Sequence, residues 1–501
     1  MGTPQTINDG VPGLGTQAVI FSDRARGAVM AAAWDAYRGV MEDPLKIEPG
    51  QTNDNVKSNR FAAIVDKGVS FLFGQKIKVT ISDPTTTVTD ATSPQQTYLD
   101  KAWGDDDDRM TLLSKLAING AICGHAFVKI IPPQPKKGIK YPRLIIMDPQ
   151  NVTVQTDPDD CDTVQSYTIE YACPNPMSGQ PARKRQVIAR TDPDGMAAEY
   201  GSQDTDDTWT ITNSMQINGV WQPQGMPQVW PHPFAPIVDC QNMPNPNEFW
   251  GMPDLSPDLI EMGRVLNFVN SNISRILKFF AQPWVWAKNT NASQINVTPG
   301  RIIVVPGQNA ELNTLEMHSD MASSMNFAAS LRSDMDEQSR VPGVALGRLE
   351  SLPKGTISGV ALQLLFQPLI EKTIMKQRLY GKLIREVSRI MLALGGMSYD
   401  TDIEIAWPNL LPIDDTAAAQ TALILEQLGV SKQTLLAELG YDYDTESSRS
   451  TDEAGDAMTN YLQGSGPPPK NLPPMPGSTT AEQNGTEQTT NASTTNGGNT
   501  S

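Results

Sequence analysis

The sequence predicts an α+β fold, with a mixed body followed by a run of long helices. Three observations carry that expectation. Seven short β-branched or aromatic segments lie between Ala126 and Trp230, separated by clusters of Pro, Gly, Asn and Asp. From Leu255 onward apolar residues recur at alternating steps of four and three. Ser358–Leu394 then reads as one long helical stretch, interrupted only by Pro368.

The elements follow in order. Met1–Thr16 is rich in Gly, Pro and polar residues, and residues 1–22 read as a loose arm. A first helix is expected over Asp23–Met41 with Ser22 as N-cap. A second starts at the cap residue Asn59 and carries Phe61, Ile64, Val65, Val69 and Leu72 on one face before Gly74. Asp83–Pro94 is a Thr-rich loop, and a helix spans Arg109–Asn119. Strands are expected at Ala126–Ile131, Arg143–Met147, Val152–Thr156, Val164–Tyr171, Arg185–Ala189, Trp209–Thr212 and Gln228–Trp230, paired antiparallel.

The heptad seam consists of Leu255, Leu259, Met262, Leu266, Val269, Ile273, Ile276 and Phe280. Ser256 can cap its helix and Pro257 suits the first helical position. At about 25 residues the rod is roughly 37 Å long and stops near Gln282-Pro283. Pro283–Leu315 is β-like again, with Trp284–Ala287, Ile295–Val297 and Arg301–Val305 as strands and Pro299-Gly300 and Pro306-Gly307 as turns. A second rod, Asp320–Arg340, carries the stripe Met321, Met325, Ala328, Leu331 and Met335. The two rods can lie antiparallel.

Pro342–Ile357 is a loop with Gly343, Gly347 and Gly355. The helix after it would be on the order of 55 Å long, kinked at Pro368, where an N–H is missing and the ring crowds the preceding turn. A strand at Ile403–Trp407 precedes two compact helices. Asp414 or Asp415 caps the first, which ends at Gly429, and Ser431 caps the second, which ends at Gly440. Gly464–Ser501 is too polar to offset its ordering entropy and is expected to be disordered.

Composition narrows the function. The chain has 501 residues and a net charge of −17, opposite to a surface that grips phosphates. No apolar run is long enough for a transmembrane helix, and no secretory signal is expected at the start. Cys123, Cys161, Cys173 and Cys240 have no metal-site spacing and are expected to be reduced thiols. No phosphate-binding loop, H-E-x-x-H or G-x-S-x-G motif occurs. Asp105–Asp108 reads as a charged loop favouring the following helix N-terminus rather than a metal site. Cys123 and His125 look like core residues, since no third orienting group is identifiable. Arg183-Lys184-Arg185 reads as a solvated strand end with no interleaved aromatic.

The order of elements resembles the portal protein family of tailed bacteriophages. Local words agree: NRFAAIVDKGVSFLFG at Asn59–Gly74 resembles the family's early wing helix, and PIVDCQNMPNPNEFWGMPDL at Pro236–Leu255 the approach to its first stem helix. SGVAL at Ser358–Leu362 is similar to the start of its long helix, and VSKQTLLAELGYD at Val430–Asp442 to its crown. The resemblance covers about Arg24–Asp444. It departs from the family in the tail after Tyr461 and in the Thr-rich insert near Asp83–Pro94.

The resemblance implies a wing over 23–253, a first stem helix over 254–281 and a clip over 282–318. A second stem helix over 319–341, a tunnel loop over 342–357, a wing helix and strand over 358–408, a crown over 409–460 and a disordered tail over 461–501 would follow. It further implies a dodecameric ring at one capsid vertex, assembled in the bacterial cytoplasm, with no catalysis, cofactor or membrane. Its partners would be the terminase large subunit, a head-completion or adaptor protein, the major capsid and scaffold proteins, and double-stranded DNA passing through. On that reading some of Asp334, Asp336 and Glu337 face a channel, or they merely solvate the outside of their helix. Arg348 and Lys354 touch phosphates or are incidental loop charges. Trp284, Trp286, Arg301, Ile302 and Val304 form a partner-facing clip or bury themselves between subunits. The competing functions are a DNA-packaging enzyme and a monomeric adaptor or scaffold protein.

Overall fold

The structure, a computed structural model, describes residues 23–50, 53–81, 93–174, 179–191, 208–217, 219–281, 285–289, 309, 311–314, 321–348, 359–411, 415–438, 443 and 446–451. Ser22, Trp284, Ile295–Val297, Arg301, Ile302, Val304, Lys354, Asp414, Gly440 and the tail lie outside the described residues. The chain divides into two compact units, Met1–Leu411 and Pro412–Ser501.

In the first unit, α1 (Asp23–Arg38) stops three residues short of the predicted Met41, where the chain turns at Gly39. Helix α2 (Arg60–Phe73) matches its predicted start: the Asn59 side chain accepts from the Ala62 N–H at 3.3 Å, and all five predicted face residues are buried. Strand β1 (Lys78–Ile81) and α3 (Pro94–Trp103) went unpredicted. The signal for α3 was legible, because Ser93 accepts from the Gln96 N–H and Pro94 occupies the first turn. Gln96 also bonds the β1 backbone at Val79 and Ile81. Helix α4 (Asp106–Cys123) is longer than predicted at both ends. Asp106–Asp108 therefore lie in its first turn, not in a loop, where they suit the positive end of the helix dipole.

All the strand pairs are antiparallel. Strands β2 (His125–Ile131), β3 (Arg143–Met147) and β10 (Ile237–Gln241) form a three-stranded sheet in the order β10-β2-β3. A second sheet runs β4 (Val152–Thr156), β5 (Val164–Pro174), β6 (Pro181–Thr191), β7 (Thr208–Ile217) and β8 (Val220–Pro223), with β9 (Gln228–Trp230) also on β7. Strand β10 was read from sequence as a mere lead-in; its burial at Ile237, Val238 and Cys240 comes from lying beside β2.

The rods are α5 (Pro257–Ala281) and α6 (Met321–Ser339), connected through the hairpin strands β11 (Val285–Lys288) and β12 (Glu311–Thr314). Helix α7 (Gly359–Leu394) carries Pro368 in its interior and buries Tyr380, Leu383, Ile384, Val387 and Met391. Strand β13 (Ile403–Ala406) then returns to pair with β1, Lys78 opposite Ala406. In the second unit α8 (Asp415–Gln427) and α9 (Lys432–Glu438) pack together, and Ser431 caps α9 through the Thr434 N–H at 3.3 Å.

One buried charge cluster ties the first unit together. The Asp254 carboxylate, just before α5, lies 3.2 Å from Lys372 Nζ and 2.6 Å from Lys376 Nζ on α7, and accepts from Asn242 Nδ2 at 3.1 Å. The Asp254 N–H bonds the Ala121 carbonyl of α4 at 2.7 Å. Lys372 also donates to the Ser339 carbonyl at the end of α6 at 2.9 Å. The start of α5 and the end of α6 thus meet at one side chain while the hairpin joins their other ends, so the rods are antiparallel.

Burial would raise the Asp254 carboxyl, but Lys372, Lys376 and Asn242 outweigh it and hold the group well below the usual carboxylate range. Burial pushes Lys376 down to about 8 against the pull of Asp254. Asp254→Asn should cost about 3–5 kcal/mol in urea unfolding, because two buried ammonium groups lose their counter-charge. Lys376→Met should cost less, since the Lys372 contact survives. A depressed carboxylate stabilises the fold above its unfolded pKa and loses that contribution on acidification. The wild type should therefore lose stability progressively as the pH falls below about 4 and on through the depressed native value, and Asp254→Asn should show a shallower slope there.

Candidate functional site

The rods and their hairpin carry the densest set of chemically suggestive residues. Helix α5 starts as predicted, with Ser256 Oγ accepting from the Leu259 N–H at 3.3 Å. Its seam is buried at Leu255, Leu259 and Leu266 but only half-buried at Val269, Ile273 and Ile276, toward the hairpin. One side of α5 is stitched to the segment before α2. Asn267 accepts from the Ser58 N–H at 3.0 Å, Ser271 from the Val56 N–H at 2.9 Å, and Arg275 pairs with Asp54. Gly263 is required by packing: a Cβ there would stand 2.2 Å from the Phe61 ring.

Helix α6 packs against α5, and along it Ala328 and Met335 are buried and Leu331 is half-buried. Met325, predicted in the same stripe, is instead 57% exposed. At 100° per residue it stands about 60° from Ala328 and about 80° from Met335, off the line of the buried residues. Phe327 on α6 is 51% exposed, Phe268 on α5 47%, and Trp286 on β11 44%. Val265 and Leu277 are exposed as well. The rods therefore present bare apolar side chains on more than one flank.

The predicted channel charges separate into two groups. Asp336 is mostly buried and takes Arg60 Nη2 at 3.3 Å together with a very close guanidinium contact from Arg348. Arg348 folds back over Gly343 and bonds its carbonyl through its own N–H at 2.9 Å, closing the turn that buries Val341 and Ala345. Asp336 and Arg348, expected on separate helix and loop surfaces, thus hold each other. Asp334 and Glu337 are exposed and make no ion pair among the described residues. Helical phase sets Glu337 opposite Ala328, away from α5, and Asp334 on a flank.

The enzyme-like groups belong to the core. The third group absent from the sequence pattern is present in space: His125 Nε2 lies 2.8 Å from Asp239 Oδ2, and Tyr167 donates to Asp239 Oδ1 at 2.7 Å. His125 is 1% exposed, however, among Phe127, Phe249 and Trp250. Burial, with Asp148 nearby, pushes the Cys123 thiol up to about 12, so it stays protonated and is no nucleophile. Arg183 and Arg185 lie within β6, not at its end, and both pair with Glu170. Arg185 also stacks 4.0 Å over Trp221, an aromatic that the sequence pattern did not reveal. Among the described residues no three His, Cys, Asp or Glu side chains converge as a metal site, and no helix is long and apolar enough to cross a membrane.

Residues 254–459 match a known family model described as phage portal protein, SPP1 Gp6-like. The match supports the resemblance seen in the sequence and spans both rods, the hairpin, α7 and the two helices of the second unit. No curated protein matches the chain. Removing the shared carboxylate with Asp336→Ala should expose what it restrains. Two partly buried guanidinium groups would lose their partner, costing about 1–3 kcal/mol. Hydrogen exchange over Val341–Arg348 should accelerate while exchange in the β2 core stays unchanged.

Proposed function

We propose, on the premise that residues 254–459 are those of a phage portal protein, that this chain is a structural portal subunit. Copies of it assemble into a dodecameric ring at a capsid vertex, and the genome passes through the central hole during packaging and ejection. The observation that carries this reading is the pair of antiparallel rods with exposed Val265, Phe268, Leu277, Met325 and Phe327. A lone subunit leaves these side chains in water, whereas neighbours in a closed ring cover them through a heterologous contact.

The charge balance fits passage rather than capture. Neutralising phosphates releases counterions and binds DNA tightly, so a basic wall would stall a moving duplex. Glu337, turned away from α5, suits a wall that repels phosphate, and the net charge of −17 agrees in sign. In this arrangement the β11–β12 hairpin is the clip, and Trp286 offers the terminase large subunit, and later a head-completion protein, an apolar anchor. The major capsid and scaffold proteins would contact the ring from outside. Catalysis is no part of the role, because the matched family is a structural one.

Negative-stain microscopy and native mass spectrometry of the purified chain test the reading. Rings with a central hole are expected, and a strictly monomeric chain at micromolar concentration would exclude it. Phe268→Glu with Leu277→Glu should shift rings toward monomers at least tenfold, since each removes roughly 1.5–3 kcal/mol of apolar burial per interface. The melting temperature of the monomer should change little.

A further inference from the structure

The two flanks of the rod pair are unlike. Taking Ala328 and Met335 as the line of α6 against α5, Met325, Arg332 and Asp336 stand about 40–80° to one side at 100° per residue. Phe327 and Asp334 stand about 100–120° to the other side. The Asp336–Arg60 pair identifies the first flank as the one toward α2. In an antiparallel pair the second flank is also the one on which α5 carries Val265.

The first flank contains a cavity of about 410 Å³, lined by Val56, Arg60, Ile273, Leu277 and Arg332 among others. Arg60 and Arg332 both line it, and Arg60 is held by the carboxylate of Asp336 at 3.3 Å. Arg332 is exposed and makes no ion pair among the described residues. It lies close enough that its charge, after burial, lowers the pKa of Arg60. This flank is thus a half-apolar hole with the exposed guanidinium of Arg332 at its edge. The second flank is its complement: Phe327 projects into solvent, and two turns along the same edge stands the unpaired carboxylate of Asp334.

The geometry points to a second copy of this chain as the occupant of the cavity. The Phe327 edge of one subunit seats against the hole of the next, and Asp334 pairs with the neighbour's Arg332. The inference rests on the ring reading above and specifies which surfaces meet. A knob and hole on opposite flanks form a head-to-tail contact, the kind that closes into a ring when its rotation permits. Opposite charges on the two flanks also discourage like flanks from meeting.

A charge exchange in the full-length chain tests the pairing, read by native mass spectrometry and sedimentation at moderate salt. Asp334→Arg and Arg332→Asp each set like charges face to face, and each should cut the ring fraction by about tenfold or more. The double variant should recover rings to within about threefold of wild type. Circular dichroism and melting of each single variant check that the exposed substitutions leave the subunit folded, and Arg332→Gln, which introduces no new charge, should give a smaller loss. Single variants that assemble like wild type would overturn the pairing while leaving the ring reading intact. Loss without recovery in the double variant would also overturn it, and would assign these edges to a different partner such as DNA or another protein. A wild type that never forms rings overturns both.

Discussion

The carboxylate of Asp254 is the constraint on which the first unit depends. It lies between two lysines of α7, is braced by Asn242 beyond β10, and is bonded through its own backbone to the end of α4. Buried ion pairs contribute little net stability over an apolar packing, because desolvation offsets most of their attraction. What they impose is geometry. A carboxylate with two ammonium partners tolerates only the arrangement in which the start of α5, the end of α6 and the middle of α7 converge. The antiparallel sense of the rods and the height at which they leave the body follow from that convergence.

Around this anchor the charges divide between those consumed within the subunit and those left over. Asp336 consumes Arg60 and Arg348, and in doing so folds the turn after α6 against the body. Asp54 does the same for Arg275 and Lys278 on the other rod. Asp334, Arg332 and Glu337 remain outside any such pair among the described residues, and helical phase sends each in a different direction. The distinction matters more than net charge. A residue that already has an internal partner is poorly placed to meet DNA or a neighbour, whereas an exposed one beside a bare aromatic is well placed to do so.

The apolar side chains tell a parallel story. Burial along the seam falls from complete at Leu255 and Leu259 to partial at Ile273 and Ile276, although Arg275 and Lys278 still tie that end of α5 to Asp54. On the ring reading, neighbouring molecules supply the packing partners that these half-buried seams and exposed aromatics lack within the subunit. The same residues would be a liability in a monomer that never assembled.

Some of this was legible in the residue order alone. Caps and periodicity are local, so Asn59, Ser256 with Pro257 and the seam that follows, and Ser431 located three helix starts within a residue or so. Three strands, β3, β4 and β9, match their predicted bounds for the same reason: turn residues bracket them. The long-range features were not legible. Strand β1 has four residues and takes its meaning from β13, more than 300 positions away, and Asp336 meets Arg60 across 276 positions. Local sequence specifies dihedral preferences and which face of a helix is apolar. Which carboxylate neutralises which base, whether Met325 lies on or off a contact line, and whether His125 is a catalyst or a core residue depend on where distant segments come to rest. Only packing and desolvation in three dimensions decide that.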